Sequence, residues 1–339
     1  MIYHPRNRGG PSPAPERVRT MADLARLAGV SKITISRAFS GKGPVNESTR
    51  SKILRLADKH RYKLNASAQS LRLRRSHTVA VVVEMVPSAE RPMSGAYPLE
   101  LLGGIMQELS ESNFSALLTT RHGATLPAIQ SADALILLGQ GPHRDAVRVF
   151  DQFRLPMVVW GASPDGDNHI VVGSDNRQGG ALAAARIVAI GRRHPVFIGD
   201  TDHPEFQERY SGFATTLAAH GIKPSVHRSR DFTVDAGFLA AKQLRRRHPR
   251  VDSVFAGSDL LAMGAIRGLN ELGLRVPDDV SVVGYDDSLA GATFIPPLTS
   301  IHQNWTEGGR LLARKALALI KGDAPTSETL PTFLVARGT

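Results

Sequence analysis

The stretch AGVSKITISRAFS, residues 28–40, reads as a turn followed by a short helix. Gly29 breaks the preceding element, and Ser31 is a typical helix N-cap. Successive helical side chains advance by about 100°. With Lys32 at zero, Ile35, Ala38 and Phe39 fall near roughly 300°, 240° and 340° and make one apolar stripe. Ile33 and Arg37 fall near about 100° and 140°, on the opposite side, with Lys32 and Ser36 flanking them. A helix that buries Ile35 and Phe39 therefore turns Lys32, Ile33, Ser36 and Arg37 outward.

A lone exposed Ile is ordinary. Framed by Lys and Arg on the second helix of a helix-turn-helix, it has a use. An apolar side chain can touch the thymine methyl group in the major groove, and an Arg can pair with both guanine acceptors. Thr34 and Ser36 carry short hydroxyls suited to phosphate.

The neighbouring residues support that reading. Thr20 and Asp23 resemble a capping box opening a first helix that carries Leu24, Ala25, Leu27 and Ala28. Asn46 caps a third helix with Ile53, Leu54, Leu56 and Ala57 inward. Charge is unevenly spread along the 339 residues. Residues 1–77 hold 17 Lys or Arg against four Asp or Glu, while the remainder holds 25 against 27. The whole net charge of +11 thus traces to the first quarter of the chain, which suits a polyanion partner. Residues 1–19, rich in Pro, Gly and Arg, read as a disordered extension without the apolar segment of a secretory signal.

From His77 the pattern changes. VAVVVEMV (79–86), ALILL (134–138), MVVW (157–160), IVVG (170–173), PVFIG (195–199), SVFAG (253–257) and VSVVGYDD (280–287) are short apolar runs separated by amphipathic helical stretches. That alternation indicates parallel α/β structure, with enough units for two sheets. There are no cysteines, which excludes disulfides, thiolate metal sites and thiol catalysis. No run is long and apolar enough for a membrane helix.

The headpiece TMADLARLAGVSKITISRAFSGKGPVNESTRSKILRLADKHRYKLN resembles that of the lactose-repressor (LacI/GalR) family. VVGSDNRQGG, ERYSGF, VFAGSDLLAMGA and VSVVGYDDSLAGATFIPPLTSIHQN match the same family in order, so the resemblance spans residues 20–335. It implies a small all-α helix-turn-helix headpiece plus an α/β periplasmic-binding-protein-like core of two parallel-sheet subdomains. The expected divisions are an extension (1–19), headpiece (20–64), hinge helix and linker (65–76) and core (77–339). Within the core, the expected N-subdomain takes 77–174 and 302–330, and the C-subdomain takes 175–301 and 331–339.

Carried over by position, the DNA-binding set is Ser31, Lys32, Ile33, Thr34, Ser36 and Arg37, with Asn65, Ala68 and Leu71 in the hinge. Leu71 matches the leucine that wedges into the minor groove. Two departures stand out: Leu64 replaces a common Pro, and Arg72, Arg74 and Arg75 make the hinge unusually basic. The implied effector cleft contains Arg209, Asp286, Gln303 and Phe232, with Trp160 at a strand end, Tyr97 in the loop after the first strand, and Ser258 where many relatives have Asn. A guanidinium, a carboxylate and an aromatic face together suit a sugar.

The expected function is a cytoplasmic, homodimeric transcriptional repressor of carbohydrate-utilisation genes, released from a palindromic operator in double-stranded DNA by a small sugar. A tetramer, an activator and a corepressor-dependent repressor remain alternatives of the same family. A sugar-binding protein of transport would leave the headpiece without purpose. No enzyme, metal site or cofactor is expected: GxGxxG, the P-loop, G-x-S-x-G and H-E-x-x-H are all absent.

Overall fold

The computed structural model describes residues 18, 20–41, 43–62, 76–89, 91–123, 126–162, 169–229 and 231–339. Asn65, Ala68 and Leu71, the hinge helix with Leu64, Arg72, Arg74 and Arg75, and the extension apart from residue 18 lie outside those residues. The chain divides into two compact units at residues 74 and 75.

The first unit contains three helices, α1 (Met21–Ala28), α2 (Lys32–Ser40) and α3 (Glu47–Lys59). Each begins where a side chain accepts a hydrogen bond from a free backbone N–H. Thr20 Oγ1 accepts from Asp23 N at 3.2 Å, and Asp23 Oδ2 accepts from Thr20 N at 3.0 Å, completing the capping box. Ser31 Oγ accepts from Thr34 N at 3.1 Å, and Asn46 Oδ1 from Ser48 N at 2.9 Å. Gly29 and Gly41 end α1 and α2 in the left-handed conformation. Leu24, Ile35 and Ile53 meet in a closed core with Ala25, Ala28, Ala38, Ala57 and Tyr62. Burying each of the three large aliphatic chains stabilises by about 1.5–3 kcal/mol. Leu54, expected inward, is exposed, because it sits one position off the buried stripe of α3. Two cations of α3 tie the bundle together: Arg50 Nε donates to Ala38 O and Lys52 Nζ to Ala28 O, both at 3.1 Å. They satisfy carbonyls at the C-terminal ends of α2 and α1.

The second unit holds two six-stranded sheets. The first takes β1 (Thr78–Val83), β2 (Ser115–Thr120), β3 (Ala134–Leu138), β4 (Met157–Trp160), β5 (Ile170–Ser174) and a late strand, β11 (Glu328–Leu330), in the order β2-β1-β3-β4-β5-β11. All its pairings are parallel. α4 (Ala96–Glu111) and α12 (Trp305–Lys321) join the apolar cluster on one face. α5 (Leu126–Gln130) and α6 (Asp145–Asp151) join that on the other. Covering both faces is why β1 and β3 are continuous apolar runs.

The second sheet takes β6 (Pro195–Gly199), β7 (Ser225–Arg228), β8 (Ser253–Ala256), β9 (Ser281–Asp286), β10 (Thr299–His302) and β12 (Phe333–Val335), in the order β7-β6-β8-β9-β10-β12. Only β12 runs antiparallel to its neighbour. Its helices are α7 (Asn176–Ala189), α8 (Pro204–Ala219), α9 (Val234–Arg247), α10 (Asp259–Glu271) and the short α11 (Leu289–Ala292).

The chain passes between the sheets three times: from β5 into α7, from β10 into α12, and from β11 into β12. Two of these segments are joined directly, since Asp175 N donates to Leu330 O at 2.9 Å and Thr332 Oγ1 to Asp175 O at 3.2 Å. The helices pair through glycines. A Cβ on Gly180 of α7 would lie 1.9 Å from Arg209 O, and one on Gly212 of α8 would lie 1.9 Å from Arg177 O. Gly104 with Gly309, and Gly237 with Gly264, make the same reciprocal approach between α4 and α12 and between α9 and α10.

Candidate DNA-binding face and effector cleft

On α2, Ile35 and Ala38 are sealed in the core, while Ile33 is 63% exposed between exposed Lys32 and Arg37. Thr34 and Ser36 are half-buried at the margin of that face. Ser31 and Thr34 share a hydroxyl hydrogen bond of 2.9 Å, so both are already oriented by the cap. The aliphatic part of Arg37 lies over Gly43, where a Cβ would sit 3.1 Å from its Cδ and Nε. Gly43, at φ 97°, lets the following turn come close enough to support that side chain.

In the second unit, the C-terminal ends of parallel strands carry most of the expected cleft residues, the usual ligand position for open α/β sheets. Arg209, on α8 and 6% exposed, donates from Nε to Asn176 Oδ1 at 2.8 Å and from Nη1 to Gly257 O at 2.5 Å. Its guanidinium lies 3.7 Å above the Tyr285 ring and 5.0 Å from that of Phe206. Phe206 in turn stacks on Phe232 at 4.6 Å with a 22° interplanar angle. Phe232, Phe206, Arg209 and Tyr285 thus form one column, with the guanidinium between the aromatic pair and the Tyr285 ring. Asn176, Tyr285 and Phe206 were not singled out from the sequence. Phe206 stands three residues before Arg209, a spacing that places both on one helix face and could have signalled it.

Asp286 ends β9 with a positive φ of 126°. Its Oδ1 accepts from Gln303 Nε2 at 2.8 Å, which brings those two expected residues together at the β10–α12 crossing. Burial, reinforced by the nearby Asp259 carboxyl, pushes the Asp286 carboxyl well above the usual carboxylate range against the pull of Arg209. Asp259 is itself raised by burial, although it accepts from Ser300 Oγ at 2.6 Å and from Ser288 N at 2.7 Å. Asp287 turns away from this pair, to Arg337 and to His302 Nδ1 at 3.0 Å.

Three expected residues are placed differently. Tyr97 lies in the first turn of α4 rather than in a loop, with its ring edge-on to Trp305 at 5.8 Å. Burial raises its hydroxyl pKa, and the charges of Glu205, Arg91, Arg209 and Glu84 all reach it. Trp160 is only 4% exposed and packs in the first subdomain's core, where a Cβ on Gly308 of α12 would come within 2.3 Å of its ring. Its contacts are those of a packing residue, because α12 lies across the end of β4. Ser258 is the N-cap of α10, its hydroxyl accepting from Leu261 N at 3.4 Å.

The first subdomain adds groups that the sequence did not reveal. Arg121 Nη1 bridges Glu84 Oε1 at 2.8 Å and Asp145 Oδ2 at 2.9 Å. Glu84 Oε2, Asp145 Oδ1 and the Trp305 indole N–H are buried without a hydrogen-bond partner among the described residues. The subdomains touch through His143 N, which donates to Asp202 O at 2.7 Å, and through the Arg91–Asp231 ion pair at 3.9 Å. Among the described residues, no three His, Asp or Glu side chains converge as metal ligands, and no helix is long and apolar enough to cross a membrane.

A family model described as "Bacterial regulatory proteins, lacI family" matches residues 20–65, and one described as "Periplasmic binding protein-like domain" matches residues 184–339. The HTH-type transcriptional regulator CelR of Thermobifida fusca is 34% identical over 94% of this chain and 97% of its own. The ribose operon repressor of Escherichia coli K12 is 30% identical over 86% of this chain and 90% of its own. Among solved structures, the complex of the transcriptional regulator CelR with cellobiose aligns with a TM-score of 0.69 at 32% identity, covering 95% of this chain and 99% of that one. The Lac repressor dimer bound to operator and the anti-inducer ONPF aligns with a TM-score of 0.80 at 25% identity, covering 94% and 98%.

Proposed function

The chain belongs to the lacI family of bacterial regulatory proteins, and from that premise we propose that it is a sugar-responsive, homodimeric transcriptional repressor acting in the cytoplasm. Each protomer of the dimer offers one α2 to the major groove of one operator half-site, so a two-fold protein selects a palindrome. Lys32, Ile33 and Arg37 read base edges, while Ser31, Thr34 and Ser36 hold phosphates. Asn65, Ala68 and Leu71 belong to a hinge that engages the central minor groove. The observation that carries the reading is Ile33, 63% exposed between two cations on a capped helix whose other face is sealed.

The ligand is a neutral sugar held between the subdomains. The Phe232–Phe206 stack offers a flat face to a sugar ring, Asp286 accepts from its hydroxyls, and Arg209, Gln303 and Tyr97 supply donors. Ser258 and Trp160 support the pocket through capping and packing. The relatives named for cellobiose and ribose regulation agree with this class. The apolar side chains of Leu99 and Met106 on α4 and Leu118 on β2 are exposed and suit burial against a second copy.

Enrichment of operator sequences from random duplexes, followed by fluorescence anisotropy with and without a carbohydrate panel, tests the proposal. The expected result is a palindromic preference and a ten- to hundredfold loss of affinity with one sugar, a coupling of about 1.4–2.7 kcal/mol. Absence of sequence preference refutes the DNA reading, and tighter binding with sugar reverses its sign.

A further inference from the structure

A polar cavity of about 300 Å³ lies against the crossing segments and is lined by Gly161, Gly173, Ser174, Asp175, Arg177, Glu208, Glu328 and Thr329. It is not part of the Arg209–Asp286 constellation. Glu208 and Arg209 are neighbours on α8, and Asn176, which accepts from Arg209 and donates to Ser174 O at 3.1 Å, sits between Asp175 and Arg177 of the lining. Asn176 therefore links the cleft to this cavity.

Three features mark the cavity as a receptor for hydroxyl groups. Ser174 is only 5% exposed, and its buried Oγ has no hydrogen-bond partner among the described residues. A buried hydroxyl without a partner is destabilising until one arrives. The charged lining is mixed, with Asp175, Glu208 and Glu328 against Arg177, and Glu328 is paired with Lys315 at 2.8 Å. Burial raises the Glu208 carboxyl, which favours a neutral neighbour over an anion. The carboxylates do not converge as metal ligands. The volume suits a molecule of monosaccharide size.

The geometry points to a second small-molecule site, for a neutral polyol, on the hinge of the core. Its walls come from both subdomains: Gly161, Gly173, Ser174, Glu328 and Thr329 from the first, Arg177 and Glu208 from the second. Asp175 and Leu330 join two crossing segments beside it. An occupant held by both walls fixes the angle between the subdomains, and so biases whatever equilibrium the cleft ligand controls. The regulatory consequence rests on the sugar-cleft reading; the site itself does not.

The test is isothermal titration of the full chain with D-glucose, D-ribose, myo-inositol and cellobiose, using wild type, Asp286→Ala and Glu208→Gln. The expected result is that Asp286→Ala keeps one binding event for at least one of these polyols. That event weakens at least tenfold when Glu208→Gln or Ser174→Ala is added. Glu208→Gln alone retains the cleft event, which separates failure of this proposal from failure of the cleft assignment. Should Glu208→Gln fail to fold, Thr329→Arg, at an exposed strand position on the cavity rim, reads the same loss. The proposal is overturned if Asp286→Ala binds none of the four, or if its residual binding ignores the added substitutions.

Discussion

Replacing Asp286 by Asn should make the core more stable at alkaline pH and weaken its hold on sugar. Asp286 is a half-buried carboxyl raised first by desolvation and then by the Asp259 charge, and Asp259, fully buried, is itself raised by burial. A carboxyl whose pKa is higher folded than unfolded binds more protons in the folded state. Stability then falls as pH rises from about 4, the unfolded value, to the folded pKa, by about 1.4 kcal/mol per pH unit for one proton. Asn removes this loss. It keeps an oxygen for Gln303 Nε2, whose bond to Asp286 Oδ1 is 2.8 Å, and forfeits only the long contact from Asp259 N at 3.4 Å. With the Asp286 carboxyl pushed up to about 8 in the folded protein, and about 1 kcal/mol for that contact, the variant should gain about 4 kcal/mol at pH 8 and little or nothing at pH 5. Urea unfolding of the full chain, followed by circular dichroism at pH 5, 6, 7 and 8, measures the difference directly. Sugar hydroxyls favour the ionised acceptor, so wild-type affinity should rise with pH over the same window and the variant's should not. Parallel stability curves for the two proteins would refute the reasoning, because the buried carboxylate would then cost nothing.

Other outcomes follow from single contacts. Ile33→Gln should change the preferred operator base while moving headpiece stability by less than about 0.5 kcal/mol, because its side chain is mostly in solvent; operator selection alongside thermal melting separates the two effects. Arg37→Ala should reduce discrimination between operator and random duplex by about 1–3 kcal/mol, with sugar binding intact in calorimetry. Phe206→Ala removes both the platform under Phe232 and the ring beside Arg209, so sugar affinity should fall at least tenfold in titration. Gly180→Val should destabilise the core by about 3 kcal/mol or more, since even a Cβ would meet the Arg209 carbonyl; an unchanged unfolding midpoint would show that α7 and α8 can part freely.

The headpiece was readable because its signals are local. Caps at Thr20, Ser31 and Asn46 and the apolar stripe of α2 lie within a few residues of what they determine. Leu54 departs from its expected inward position because an apolar side chain beside a buried stripe looks the same in sequence as one within it. The α/β class was readable from runs such as those of β1 and β3, whose burial on both faces leaves no alternation. The short edge strands β7, β11 and β12 were not, because three or four residues carry too little pattern. In the cleft, the resemblance named Arg209, Asp286, Gln303 and Phe232, but not the residues between which they are held. Asn176 and Tyr285 are 109 positions apart, and Arg121 reaches Glu84 across 37. Such convergence is a property of the fold, invisible to spacing. Trp160 shows the converse: an aromatic at a strand end suits a pocket wall or a packing place equally, and only the position of Gly308 places a helix against its ring.

The threefold passage of the backbone between the sheets has a consequence for how the protein comes into being. Each half closes its sheet with a strand supplied after residue 327, so neither half is complete until both nearly are. On a ribosome the DNA-reading helices emerge far earlier, by roughly 15–50 s at about 5–20 residues per second. A newborn chain is thus a loose nucleic-acid binder long before it can answer a sugar, and control arrives in one late step rather than by degrees.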